Sequence, residues 1–159
     1  NQEYGTKYNY LTPCNLYGEG DKDGSNSHFV TALIKKILDS NKNNDYNITL
    51  FGDGTPIRQF LYVKDFCKII KHIIDNDIYD SFNVATNEVL TIKEIANIAL
   101  KATNSENLNI IWDNTKPNGQ YRKDVDITKM LNILDIDITT LENGIKIFFL
   151  GTPLFKSVL

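Results

Sequence analysis

Apolar residues recur along this chain at two spacings, and the two spacings alternate. Phe29, Leu33, Ile34 and Ile37 lie three and four apart, as on one face of a helix. A helix is therefore predicted over 28–38, with Asn26 or Ser27 as its cap and the Asn-rich stretch 41–47 as its exit. Phe66, Ile69, Ile70, Ile73 and Ile74 mark a second helical face, and Ile92, Ile95, Ala96, Ala99 and Ala102 a third. Thr91-Ile92-Lys93-Glu94 opens the third with capping-box spacing. Two shorter helices follow, from Thr128 to Leu134 and from a second capping-box spacing at Thr139–Glu142, the latter burying Leu141, Ile145, Phe148 and Phe149 until Gly151-Thr152-Pro153 stops it. Between the helices, Tyr8–Pro13 reads as a short buried strand, and Ile48–Phe51, Arg58–Val63, Ser81–Ala85 and Ile110–Trp112 as further strands.

The segments 14–27 and 115–123 read as loops, the second rich in cations. By local rules the turn Gly52–Pro56 would join its flanking strands as a hairpin. Strands alternating with helices make the class α/β with at least partly parallel pairing. No internal repeat is visible.

Composition narrows the function classes. The chain has 159 residues, 42% hydrophobic and 23% charged, enough for one full core. Its net charge of −3 comes from scattered charges with no basic tract, which argues against nucleic acid as a partner. The two cysteines, Cys14 and Cys67, form no metal-ligand or CxxC pattern, and their usage suits a reducing cytoplasm. No apolar run approaches the roughly 18 residues of a membrane span, and Asn1–Gly5 does not resemble a signal peptide. Neither a membrane nor export is expected. Asn47-Ile48-Thr49 matches a glycosylation sequon by chance. The first residue is not Met and the chain opens in what reads as a helix end, so the sequence reads as a fragment.

Candidate chemistry is found by elimination. Gly18-Glu19-Gly20 is followed by Asp23 where a phosphate loop needs its third glycine, and it is too acidic for a pyrophosphate. Asp21–Ser25 lacks the frame of a calcium loop, so no metal is expected. No GxSxG elbow is present, and Cys14 with His28 is a nominal nucleophile–base pair without an evident orienting third member. What remains is Asn15 at a strand end, His28 at a helix start, Arg58 after a turn, and Lys116, Arg122 and Lys123 in one loop. Such a set suits an anionic, hydroxyl-rich ligand, because arginine can grip a diphosphate bidentately and imidazole can exchange protons near neutrality. The same residues also admit plainer roles: a histidine that caps a helix or lies on the surface, and solvated charges at Arg58, Arg122 and Lys123. Phe51 and Trp112 read as core, and Cys67 as packing on an apolar helix face.

Pro13-Cys14-Asn15-Leu16-Tyr17-Gly18 resembles the P-T-N-L-Y-G segment of the GDP-L-fucose synthases, a family of the extended short-chain dehydrogenase class. Asn26-Ser27-His28-Phe29-Val30 is similar to their N-S-H-V segment, Gly52–Leu61 to G-x-G-T-P-x-R-E-F-L, and Lys116–Lys123 to K-P-D-G-x-x-R-K. The resemblance runs from residue 1 to about 150; 151–159 is an unmatched tail. It implies the carboxy-terminal part of such an enzyme, with 1–18 and 57–86 as the remnant of the Rossmann-type dinucleotide-binding domain and 19–56 and 87–150 as a small α/β substrate-binding domain. It further implies NADP as cofactor, a GDP-sugar as substrate, and a full-length enzyme that is a cytoplasmic homodimer.

By the same resemblance, Pro13, Cys14, Asn15 and Leu16 lie along the nicotinamide end of NADP, with His28 also beside the cofactor as the catalytic acid. Lys36, Phe51, Arg58, Asn118 and Lys123 hold the sugar nucleotide. The catalytic Ser, the Y-x-x-x-K signature and the epimerisation Cys of that family are not in this sequence. Cys14 stands for Thr, Phe51 where Trp is frequent, Lys36 where Arg is frequent and Asn118 where Asp is usual. The implied reaction is 3,5-epimerisation and 4-reduction of a 4-keto-6-deoxy sugar. A related GDP-sugar epimerase or reductase, and a non-catalytic binding module, remain alternatives. The fragment alone is expected to be inactive.

Overall fold

A computed structural model of the chain describes residues 3–21 and 27–151. The strands are β1 (Leu11–Pro13), β2 (Asn15–Tyr17), β3 (Asn47–Phe51), β4 (Ile57–Arg58), β5 (Phe60–Tyr62), β6 (Phe82–Val84), β7 (Leu90–Thr91), β8 (Asn109–Asp113) and β9 (Arg122–Lys123). The helices are α1 (Phe29–Asn43), α2 (Val63–Asp75), α3 (Ile92–Ala102), α4 (Thr128–Ile133) and α5 (Leu141–Gly151). The pairs β1·β6, β2·β5, β3·β8 and β4·β9 are parallel, and β4·β7 is antiparallel. The α/β class with mostly parallel pairing is what the alternation predicts.

Two hydrophobic clusters share one wall. In the larger, Val30, Leu33, Ile34 and Ile37 of α1 meet Ile48 and Leu50 of β3, Ile95, Ala96 and Ala99 of α3, and Leu141, Ile145, Phe148 and Phe149 of α5. In the smaller, Ile69 and Ile73 of α2 meet Phe82 and Val84 of β6 and Met130 and Leu134 around α4. Side chains on a strand alternate between its faces. Phe60 and Tyr62 of β5 accordingly enter the larger cluster while Leu61 enters the smaller, and β2 divides Tyr17 from Leu16 in the same way. The β2·β5 pair is thus the partition between the cores, and it carries Asn15 at its edge.

Several local expectations are overturned by partners distant in sequence. The hairpin does not form: β3 lies parallel to β8, while β4 pairs with β7 and β9. Residues 58–63 are not one strand, because the chain breaks at Gln59, whose buried side chain donates to the carbonyl of Thr86 at 2.8 Å and accepts from the main-chain N–H of Val125 at 2.8 Å. The supposed loop at 14–20 contains β2, held by Phe60–Tyr62. Tyr8–Pro13 is a strand only from Leu11, and Tyr8, Tyr10, Thr12 and Pro13 are exposed instead of buried. Cys67 is exposed too: α2 buries Asp65, Ile69 and Ile73, spaced four apart, and turns Cys67 and Ile74 outward.

The helix ends show which caps the sequence can announce. α3 has the full box, Thr91 accepting from Glu94 N–H while the Glu94 carboxylate accepts from Thr91 N–H at 2.7 Å. The box at Thr139–Glu142 is absent. There Asp65 accepts from Thr139 N–H at 2.8 Å and Glu88 from Leu141 N–H at 2.6 Å, and Glu142 binds Lys101 and Lys146. At α1 the cap position falls on His28, and the helix runs on to Asn43, ended by Asn44 in the left-handed region. Asn26, most of the segment weighed as a calcium loop, and 152–159 lie outside the described residues.

Candidate functional site

The turn after β3 is built to approach other chain segments closely. Gly52 (φ 79°) and Gly54 (φ 78°) occupy the left-handed region, where a side chain would be strained. A Cβ on Gly52 would overlap the Asn118 carboxamide oxygen, and one on Gly54 would come within 2.7 Å of the Trp112 ring. Asp53 fixes the turn by accepting from Thr55 N–H at 2.9 Å and Thr55 Oγ1 at 2.7 Å, bonds that hold its carboxyl below the usual carboxylate range. Asn118 Oδ1 accepts from Asp53 N–H at 2.8 Å, which ties the 115–123 loop to this turn.

This arrangement frames an open cavity of about 390 Å³. Asn15 of β2, His28, Lys36 of α1, Phe51 of β3, Arg58 of β4 and Asn118 all line it, on an apolar floor that includes Leu33, Leu50 and Phe60. Six of the sequence candidates therefore meet in one place. Pro13, Cys14, Leu16 and Lys123 do not line it; Leu16 faces a neighbouring cavity of about 470 Å³ that also reaches His28. Lys123 is exposed on β9, in register with Arg58.

Each polar side chain is held, and most are held by main-chain carbonyls. Asn15 donates to the carbonyl of Gln59 at 3.0 Å and Lys36 to that of Thr49 at 2.7 Å. Arg58 donates from Nη1 to the carbonyl of Ile57 at 2.7 Å and from Nη2 to that of Gln120 at 2.6 Å. Among the described residues neither Lys36 nor Arg58 has a carboxylate partner, so their charges are not cancelled. Several cations elsewhere do have one: Lys64 pairs with Glu19, Lys68 with Asp65, and Arg122 with Asp124. The solvated reading of Arg58 gives way to a half-buried residue in a cavity wall, while Arg122 is committed to Asp124.

Phe51 is not a core residue. Along β3 only Ile48 and Leu50 point inward, which leaves Phe51 65% exposed with the Lys36 ammonium 5.5 Å and the Lys116 ammonium 6.0 Å from its ring centre. Trp112, half-buried against the larger cluster, is the core residue expected. Burial pushes the Cys14 thiol up to about 11 despite main-chain hydrogen bonds, so it stays protonated; it packs with the smaller cluster and is no nucleophile for His28. The residue that sequence reasoning missed is Asp21. Its carboxylate lies 2.6 Å from His28 Nδ1 and accepts from His28 N–H at 3.0 Å. An Asp seven residues before a His carries no sequence signal.

Among the described residues no three His, Cys, Asp or Glu side chains converge as metal ligands do, and no helix is long and apolar enough to cross a membrane.

Comparison with known proteins agrees with this architecture. The chain is 30% identical over 141 residues to the GDP-L-fucose synthase of Escherichia coli (strain K12), covering 82% of this chain and 44% of that protein. It is 32% identical to the GDP-L-colitose synthase of Yersinia pseudotuberculosis, covering 88% and 46%. A GDP-L-fucose synthetase from Naegleria fowleri, solved bound to NADP, superposes with a TM-score of 0.78 at 26% identity over 89% of this chain and 46% of that one. The chain thus spans just under half the length of these relatives. Residues 1–85 match the profile of the NAD dependent epimerase/dehydratase family, whose Rossmann-type α/β fold the neighbours share, and the chain belongs to that family of enzymes.

Proposed function

We propose that this chain is the substrate-binding part of an NADP-dependent enzyme that converts a GDP-4-keto-6-deoxy sugar to GDP-L-fucose by 3,5-epimerisation and 4-reduction. The observation that carries the reading is the cavity in which Lys36 and Arg58 keep their charge while the chain as a whole is net negative. A diphosphate suits such a place, and the Arg58 fork suits two phosphate oxygens. Phe51, exposed at the rim, offers a face for the base, and Asn118 supplies polar contacts beside it, while Lys123, outside the cavity but in register with Arg58, would meet only a ligand that extends beyond it. The names of the two curated relatives support a GDP-sugar.

The strip Pro13–Leu16 carries no charge, and Asn15 is anchored to Gln59. It fits the uncharged dihydronicotinamide end of NADPH and would not hold a pyrophosphate. Bound there, NADPH supplies the hydride for the 4-keto carbon. We assign 1–18 and 57–86 to the dinucleotide-binding part and 19–56 and 87–150 to the substrate domain, a division supported by the pairs β1·β6 and β2·β5 within the first part and β3·β8 within the second, although β4 at 57–58 pairs with β7 and β9 of the second. The complete enzyme is a homodimer in this reading.

His28 exchanges the protons of epimerisation, since its ring borders both cavities. In a complete enzyme carrying this segment, His28→Gln should slow solvent-deuterium incorporation into GDP-4-keto-6-deoxymannose by about 10²–10⁴-fold, with NADPH oxidation on a pre-epimerised substrate little changed. Equal loss in both half-reactions would make His28 structural. Turnover of a different GDP-sugar in place of this one would move the assignment to a related epimerase or reductase.

A further inference from the structure

We infer that Asp21 is the positioning residue for His28, fixing the imidazole as the Nδ1–H tautomer and leaving Nε2 as the atom that exchanges the proton. The inference rests on the reading of His28 as the proton-exchanging group. The observations behind it are geometric. Oδ1 of Asp21 lies 2.6 Å from Nδ1, and Oδ2 accepts the main-chain N–H of the same residue at 3.0 Å. One carboxylate therefore grips the ring and the backbone of His28 together, and rotation of the ring about Cα–Cβ would break the first bond. The two side chains are placed unequally: Asp21 is 7% exposed and His28 73% exposed. The carboxylate is a sheltered, fixed point; the ring is the accessible end.

An ionised carboxylate can only accept a hydrogen bond, so the nitrogen facing it must carry the hydrogen. When the ring is neutral, Nε2 then holds the lone pair. It can take a proton from the carbon next to a substrate carbonyl, leaving an enolate and an imidazolium whose charge Asp21 stabilises. Epimerisation needs a second acid–base side chain, outside this sequence, on the opposite face of the enolate; with His28 as the acid the step runs in reverse, the imidazolium giving its Nε2 proton to carbon and leaving the neutral ring with Nδ1–H unchanged. Among the described residues, the other charged groups bordering the same space are Glu19 on the side of the smaller cavity and Lys36 and Arg58 on the larger. A plainer role for Asp21 is to secure the start of α1 through the main-chain bond alone, and that role makes no demand on the tautomer.

The test is long-range ¹H–¹⁵N spectroscopy of the full chain at a pH where its imidazoles are neutral. The chain has two histidines, and His28→Gln assigns the signals by removing one set. The expected wild-type pattern is a protonated-type Nδ1 and an unprotonated-type Nε2 for His28. In Asp21→Ala, with folding checked by circular dichroism, the two shifts should move towards each other as both tautomers populate. Should that variant not fold, Asp21→Asn keeps the shape and one acceptor and should show a reduced Nδ1–H fraction. A wild-type ring protonated on Nε2, or an unchanged pattern in the folded variant, overturns the inference. The readout is independent of turnover: intact epimerisation in His28→Gln would sink the functional reading and leave the Asp21 pairing standing.

Discussion

Gly144, on the first turn of α5, has a helix propensity that argues for alanine and a neighbour that forbids it. An added Cβ would overlap the Tyr17 hydroxyl oxygen and come within 3.0 Å of Tyr17 Cζ. Tyr17 cannot swing away easily, since it is buried in the larger cluster with its ring 5.6 Å from that of Tyr62 and its hydroxyl donating to the Leu141 carbonyl at 3.4 Å. Replacing glycine by alanine inside a helix gains about 1 kcal/mol. Overpacking a filled core costs about 1–3 kcal/mol, and the displaced hydroxyl loses a long hydrogen bond worth about 0.5 kcal/mol. The balance for Gly144→Ala is a loss of about 0.5–2.5 kcal/mol, or a melting temperature lower by roughly 1–10 °C in a domain of this size. The pair Tyr17→Phe/Gly144→Ala removes the overlapping atom and should recover most of the loss, giving a coupling energy of about 1 kcal/mol in the double-mutant cycle. Thermal unfolding of the four proteins reads this directly. A Gly144→Ala melting temperature equal to or above wild type, or no recovery on removing the hydroxyl, would refute the contact between β2 and α5 as the reason for the glycine.

Asp65 is buried, and although burial pushes its carboxyl up, hydrogen bonds from Lys68 and Thr139 outweigh this and hold it below the usual carboxylate range. A lowered folded-state value means that its stabilisation is present above about pH 4, where the unfolded carboxylate ionises, and is lost as pH falls through the folded value. Asp65→Asn should lower stability by about 1–2 kcal/mol at neutral pH and flatten the acid limb, read as urea midpoints against pH. Arg58→Lys should weaken GDP binding by calorimetry about tenfold, for roughly 1.4 kcal/mol lost with the planar fork, and unchanged affinity would return Arg58 to a structural role. The chain alone should not oxidise NADPH in the presence of the keto sugar, because its sequence holds no glycine loop for the pyrophosphate. Measurable turnover would contradict this.

The helices were legible because their signal is local. Leu33, Ile34 and Ile37 report a buried face from spacing alone, and Thr91 with Glu94 reports a helix start within four residues. What was not legible depends on partners far along the chain. Nothing near Asn15–Tyr17 says that Phe60–Tyr62 will pair with it, and nothing near Thr139 says that Asp65 will accept its N–H in place of its own capping box. Phe51 and Cys67 were misjudged for a related reason: hydrophobic character predicts burial only when the face is known, and the face is set by the pairing of β3 with β8 and by the seating of α2 on Ile69 and Ile73.

The charge of the cavity shows the same limit and explains why the candidate residues could be named before their role could be argued. Lys36, Lys64, Lys68, Arg58 and Arg122 are equivalent in a sequence, each a cation among nearby acids. Folding separates them by giving Lys64, Lys68 and Arg122 carboxylates and giving Lys36 and Arg58 carbonyls. A carbonyl bond fixes a side chain's direction without cancelling its charge, whereas an ion pair does both. The cations held by carbonyls are the ones that line the cavity, so they stay oriented and still available to an anion. Exchanging the Gln120 carbonyl for a carboxylate, as a Gly119→Glu side chain beside Arg58 would come close to doing, should lower GDP affinity with Arg58 itself intact; Gly119 sits at φ 72° with Arg58 Nη2 3.9 Å from its missing Cβ. Gly119→Gln, equally strained at that backbone position but neutral, is the control. Equal loss in the two variants would assign the effect to backbone strain and leave the uncancelled charge without support.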